Sequence, residues 1–259
     1  MKNITLTARL ALLLVFAFSI NAFSQKTEGK KQMLFGKEID QNKINSDNGV
    51  IRCATTEYEE YLQANNPKRL TDAQFEAWLA PLVKNYKNLQ LVASQNGGII
   101  TIPVVVHVIH NGEPVGTAPN ITDAQVESQI TVFNQDFRKM LNTPGYNTNP
   151  VGADIQIQFA LAKQDPNGNP TNGIHRVNLC QSSWSTEDID STVKPNTIWD
   201  PTSYMNMWSV KFSNTSLLGY AQFPESNLAG IVGYGGASNT DGVVCNYATF
   251  GSSDFNDGT

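Results

Sequence analysis

Apolar and polar positions change period several times along the chain, and each change marks an element. Between Gln25 and about Gly49 the apolar residues are scattered among Lys, Asn, Gln, Asp and Gly. Such a stretch cannot bury enough surface to fold alone and predicts a flexible leader. Thr55 to Asn66 and Thr71 to about Leu89 carry helical signals. Thr71-Asp72-Ala73-Gln74 is a capping box, and Phe75, Leu79, Leu82 and Tyr86 recur at helical spacing, with Pro81 expected to kink or break the run. After Asn96-Gly97-Gly98 the β-branched run Ile100 to Ile109 reads as a strand covered on both faces, with Pro103 near its start. The next pattern is the best defined. Ile121 can staple, Thr122 can cap with Gln125 reaching back, and Val126, Ile130, Phe133, Phe137 and Met140 lie on one face of a long helix from Thr122 to about Leu141. Strand patterns follow at Ile155 to Ala162, Ile174 to Leu179, Met205 to Phe212, Leu217 to Phe223 and Gly242 to Tyr247. A strand, a long helix and then several strands predict an α+β layer, a helix backing a twisted mixed sheet of about five strands, preceded by a small helical segment.

Composition narrows the function classes. The 259 residues carry a net charge of -5 with Lys and Arg scattered, so neither a nucleic-acid face nor a polybasic membrane patch is implied. Lys2 and Arg9 precede the apolar run Leu10 to Ile20, which is too short for a stable membrane span, and Ala22-Phe23-Ser24 places small residues where a signal peptidase cuts. The reading is a signal peptide, 1–24, and a secreted or cell-surface protein; an uncleaved anchor is the alternative. Export permits disulfides, and there are three cysteines, Cys53, Cys180 and Cys245. The simplest partition pairs Cys180 with Cys245 and leaves Cys53 free. Pairing of either with a partner outside this sequence, or of Cys53 with one of them, stays open.

Three histidines offer little metal chemistry. His107 and His110 are three apart on a predicted strand and point to opposite faces, so they cannot chelate one ion together, and His175 stands alone near Asn172-Gly173. The sequence holds no His-Glu-x-x-His, no Cys-x-x-Cys and no Gly-x-Ser-x-Gly, and Gly230-Ile231-Val232-Gly233-Tyr234-Gly235-Gly236 lacks the Lys and Ser/Thr of a phosphate loop. That stretch reads as a mobile loop between strands.

One tract is more specific. Leu217-Leu218-Gly219-Tyr220-Ala221-Gln222-Phe223-Pro224, a Gly-rich loop and then Asp241-Gly242-Val243-Val244 resembles the pappalysin (cytophagalysin-like) zinc metallopeptidases of the metzincin clan. The resemblance covers about Thr101 to Thr259 and implies the upper part of a metzincin-like catalytic domain, 96–259. In that family the next element is a helix whose three histidines hold zinc. This sequence reaches Thr259 before such a helix, so it is expected to be an N-terminal portion that is inactive by itself, with no catalytic residue of its own. The resemblance implies zinc as the cofactor and an extended peptide or protein as the partner. Calcium also accompanies the family, but no residue here is matched to it. Gly219, Tyr220 and Ala221 correspond to the edge strand that pairs antiparallel with substrate. Arg52-Cys53-Ala54-Thr55 resembles the cysteine motif of the family's pro-regions, with Ala54 where the family has Gly. Cys53 would thus be a latency ligand, its thiolate displacing the zinc-bound water, within a pro-segment, 25–95. The rival expectations are a secreted β-rich module that binds peptide or glycan without catalysis, and a degenerate enzyme without its catalytic half.

Overall fold

The computed structural model describes residues 31–93, 98–222 and 237–255. The signal-peptide tract, the Gly-rich stretch 230–236 and Phe223-Pro224 lie outside the described residues. The chain divides into two compact units, Met1–Met33 and Leu34–Thr259, and the elements below belong to the second.

Among the described residues the first two α-helices are α1 (Thr55–Asn65) and α2 (Asp72–Ala93), after a 3-10 turn at Gln41–Lys43. Thr71 caps α2 by accepting the Gln74 N–H while Gln74 Oε1 reaches back to the Thr71 N–H at 2.8 Å, the reciprocal box the sequence predicts. The helix continues through Pro81, which removes one backbone donor without ending it. Strand β1 (Ile100–His110) and helix α3 (Asp123–Phe137) follow, the latter capped by Thr122, which accepts the Gln125 N–H at 3.1 Å. Then come β2 (Ile157–Leu161), β3 (Ile174–Asn178), a helical run α4 (186–197) with a π-turn at its centre, β4 (Met205–Val210), β5 (Gly219–Ala221) and β6 (Val243–Asn246).

The six strands make one mixed sheet in the order β2–β1–β4–β6–β5, with β3 pairing the C-terminal half of β1 beyond β2. Every pairing is parallel except the last: β5 runs antiparallel to β6, with Gly219 opposite Cys245 and Ala221 opposite Val243. Fold class and strand positions thus agree with the sequence pattern, with six strands in place of about five. The helical run α4 lies outside the predicted elements, because its apolar signal is limited to Ile189 and Val193, four residues apart, in a polar stretch.

Alternation along the strands gives the sheet two buried faces. On one, Val104, Val106 and Val108 of β1 and Met207 of β4 pack under Val126 and Ile130 of α3, with Phe159 and Phe250 closing the sides. On the other, Ile109, Trp208, Val210, Tyr220 and Val244 pack with Ile189 and Val193 of α4 and with Leu34, Phe35, Ile39, Ile51, Ala54 and Tyr58. Leu34, Phe35 and Ile39 fall in the stretch whose pattern predicts a flexible leader. They are buried, 3–5% exposed, because a surface made by distant strands supplies the partners that the segment lacks locally.

Candidate functional site: a sheet edge covered by the chain's own N-terminal segment

Strand β5 is the edge of the sheet, and its outward backbone groups are already taken. Ile51 lies beside Leu217 in a parallel bridge. Its N–H donates to the Ser216 carbonyl at 2.8 Å and its carbonyl accepts from Leu218 N–H at 3.0 Å. One step on, the Ala54 N–H donates to the Gly219 carbonyl at 3.0 Å, and the Ala221 N–H donates to Thr55 Oγ1 at 3.0 Å. Residues 51–55 therefore satisfy the donors and acceptors that an edge strand presents to any added strand. The inward groups hold β6: Asn246 N–H donates to the Leu218 carbonyl and Gln222 N–H to the Gly242 carbonyl.

Gly219 permits this crowding. A Cβ there would come within 2.7 Å of the Val244 carbonyl oxygen. Gly242, at φ +141°, is tighter still, with Asn206 O at 2.3 Å from the position of a Cβ.

The three positions read from sequence as an edge, Gly219, Tyr220 and Ala221, lie on that edge and have separate surroundings. Gly219 and Ala221 turn backbone groups outward, while the Tyr220 ring is buried in the face shared with α1 and α4. Cys53 stands in the covering segment beside Gly219, exposed, its thiol donating to Thr55 Oγ1 at 3.2 Å.

The pairing of Cys180 with Cys245 does not form. All three cysteines are thiols, and the strand order explains why these two cannot meet. Strands β1 and β4 stand between β3, after which Cys180 follows, and β6, which carries Cys245. Three spacings of about 4.8 Å put roughly 14 Å between them, far beyond the ~7 Å limit for a bridge. Cys245 instead packs against the α3-covered face, where loss of hydration pushes its thiol up to about 12 and Cys53 adds a smaller push.

The histidines form a structural network. His107 and His175 meet through their Nδ1 atoms at 2.9 Å, because parallel register sets β1 and β3 side by side at these residues. His107 Nε2 lies 2.9 Å from Asn206 Oδ1, which also accepts the Trp199 N–H, so His107 donates at Nε2 and accepts the His175 proton at Nδ1. Burial pushes His107 down to about 3 and keeps it neutral, the Asn206 bond opposing in part. Sequence spacing could not reveal this pair, since the two are 68 residues apart. His110, on the other face of β1, takes no part, as its spacing from His107 requires. Among the described residues no group of three or more His, Cys, Asp or Glu side chains is placed to hold a metal ion.

A cluster the sequence did not flag lies beside the edge. Lys194, fully buried, sets its ammonium 2.7 Å from Asp190 Oδ1 and 4.7, 5.2 and 5.7 Å from the ring centres of Tyr220, Tyr58 and Trp208. Tyr220 OH donates to the same Asp190 oxygen at 3.0 Å. Tyr58 OH donates to Gln222 Oε1 at 3.3 Å, an acceptor shared with Thr240. Burial pulls the Lys194 pKa down and Asp190 opposes it; burial pushes both tyrosines up. Gln222 also lines a groove of about 470 Å³ with Thr101, Pro103, Tyr204, Asn206 and Gly242. A lone lysine in a polar stretch carries no sequence signal for such a cage.

No protein-family model matches the chain, and no curated protein matches it. Among solved structures it is similar to a promirolysin variant of Tannerella forsythia, at 37% identity over 71% of this chain and 60% of that one, with a TM-score of 0.49. It is also similar to mature mirolysin of Tannerella forsythia in complex with a cleaved peptide, at 37% identity over 62% and 59% of the two chains and a TM-score of 0.48. Mirolysin in complex with compound 9 is 40% identical over 62% and 59%, with a TM-score of 0.49. The chain spans about three fifths of the length of these solved chains.

Proposed function

We propose that the chain is part of a secreted zinc endopeptidase precursor of the metzincin type, pappalysin-like, in which residues 25–95 are a pro-segment and β5 is the substrate-aligning edge. The observation that carries this reading is the occupied edge. Residues 51–55 take the outward groups of Leu218, Gly219 and Ala221 in the parallel sense. An extended substrate in the arrangement that the sequence resembles would pair antiparallel. A segment lying backwards excludes substrate while presenting its own peptide bonds in the wrong polarity for cleavage.

The described residues do not supply a metal site, so no step of hydrolysis is assigned to them. Zinc would be held by residues beyond this sequence, and Cys53 is the one side chain here given a part, as a latency ligand. What this chain contributes is alignment and exclusion. Mature mirolysin with a cleaved peptide, and a pro-form of the same protein, are in keeping with such a pair of states.

The reading frame that carries this chain, read past Thr259, is expected to encode His-Glu-x-x-His with a third histidine. The full-length product should bind zinc and cleave peptides after processing. A frame lacking that motif contradicts the proposal. In the full-length precursor Cys53→Ala should shorten latency and speed self-processing; unchanged rates would remove Cys53 from the account.

A further inference from the structure

Two kinds of contact hold residues 34–66 to the sheet, and they are separable. One is the short tract 51–55 with Cys53 at its middle, exposed and hydrogen-bonded to Thr55 of its own segment. The other is an apolar core that the segment completes, centred on Tyr58. The Tyr58 ring lies 4.9 Å from Phe35 and 5.0 Å edge-on to Tyr220, is 2% exposed, and forms one wall of the cage around Lys194.

The cage is costly to leave open. The Lys194 ammonium rests on the Asp190 carboxylate at 2.7 Å and on three ring faces. A buried cation with so little polar contact depends on each ring that shields it. Two of those walls, Trp208 and Tyr220, belong to the sheet, while the third comes from α1. Removing α1 would leave the ammonium, Asp190 and the Gln222 amide facing a vacated hollow the size of a phenol ring.

We infer that this cage is a docking site for a tyrosyl side chain, filled by Tyr58, and that it anchors the segment independently of Cys53. The segment is then a ligand of the sheet: cutting the chain after it leaves it bound, and release requires Tyr58 to leave the cage. Latency gives this docking its purpose and rests on the proposed precursor role, whereas association of the cut pieces is read without any peptidase assay.

The test uses the full chain with a specific protease sequence placed across residues 94–97, cut after folding and run on size exclusion at about 1 µM. The cut wild-type chain should elute as one particle, and Cys53→Ala should behave identically. Tyr58→Ala should separate, with affinity reduced about 30-fold or more, as for an aromatic anchor. Tyr58→Phe, which keeps the ring and loses only the Gln222 bond, should weaken association less than about tenfold. Separation of the cut wild type overturns the inference, as does Tyr58→Ala remaining as tightly bound as wild type, or Cys53→Ala releasing the segment. Circular dichroism of uncut Tyr58→Ala checks that it folds. If it does not, Lys194→Met in the cut chain decides: association weaker than wild type by tenfold or more is expected, and unchanged association overturns the cage.

Discussion

The two faces of the sheet are built by different rules. The face under α3 is covered by a helix that begins 13 residues after β1 ends; its centre, Val104, Val106, Val108, Val126 and Ile130, is aliphatic, and its aromatic rings, Phe133, Phe159 and Phe250, stand at the sides and carry no charge between them. The opposite face is covered from a distance by 34–62 and α4, and its centre is aromatic and polar: Trp208, Tyr58 and Tyr220 around a buried lysine, Phe35 against the two tyrosines and, beside them, a buried histidine. An aliphatic face needs only matching volume to stay closed. The aromatic one has specific partners, so it can tell whether its cover is present.

The largest effect should follow from Trp208→Ala. Trp208 is fully buried, stacks on His107 at 5.1 Å, shields Lys194 and donates its indole N–H to Thr197 at 2.8 Å. Its loss should cost about 3–5 kcal/mol, read by urea unfolding, and should loosen residues 34–62 as well. A loss below about 1 kcal/mol would show that this face is not built around it.

Acid should act next, and through the same face. His107 is held neutral down to about pH 3, whereas the unfolded chain protonates its histidines near pH 6.5. Between those values the unfolded state binds more protons, so stability present above pH 6.5 is lost as pH falls, at up to about 1.4 kcal/mol per pH unit for this one group. The charged and titratable neighbours on packed elements are few: His175 contacts it directly, and Lys194 lies across Trp208. Urea unfolding at pH 7 and pH 5 measures the loss, and a flat profile would mean that His107 is solvated. Smallest is Ile130→Val on the α3 side, about 0.5–1.5 kcal/mol. It should leave amide protection of residues 51–58 unchanged; a loss of protection there would mean that the faces are coupled.

What was legible in the sequence follows the same division. The α3 face is readable because its cover is local: Val126, Ile130 and Phe133 declare a helical stripe, and β1 declares itself by a mostly apolar, β-branched run. The other face is not, because its partners are set by register and by contacts between residues far apart in sequence. His107 meets His175, and Tyr58 meets Lys194, only once β1, β3, β5 and α4 are in place. The segment containing Leu34, Phe35 and Ile39 looked unable to fold because alone it cannot, and the cysteine pairing failed because chain position says nothing about strand order. Gly219, Tyr220 and Ala221 lie on β5 at the end of the strand order, while the occupant of that edge carries no sequence signal.

Amide hydrogen exchange in the full chain tests most directly whether the edge is occupied from within. The N–H groups of Leu218 and Ala54, which bond across to Ile51 and Gly219, should be protected to an extent comparable with Asn246 N–H, which bonds inside the sheet to Leu218. Rapid exchange at Leu218 and Ala54 with Asn246 still protected would contradict the account, since it would leave β5 an open edge.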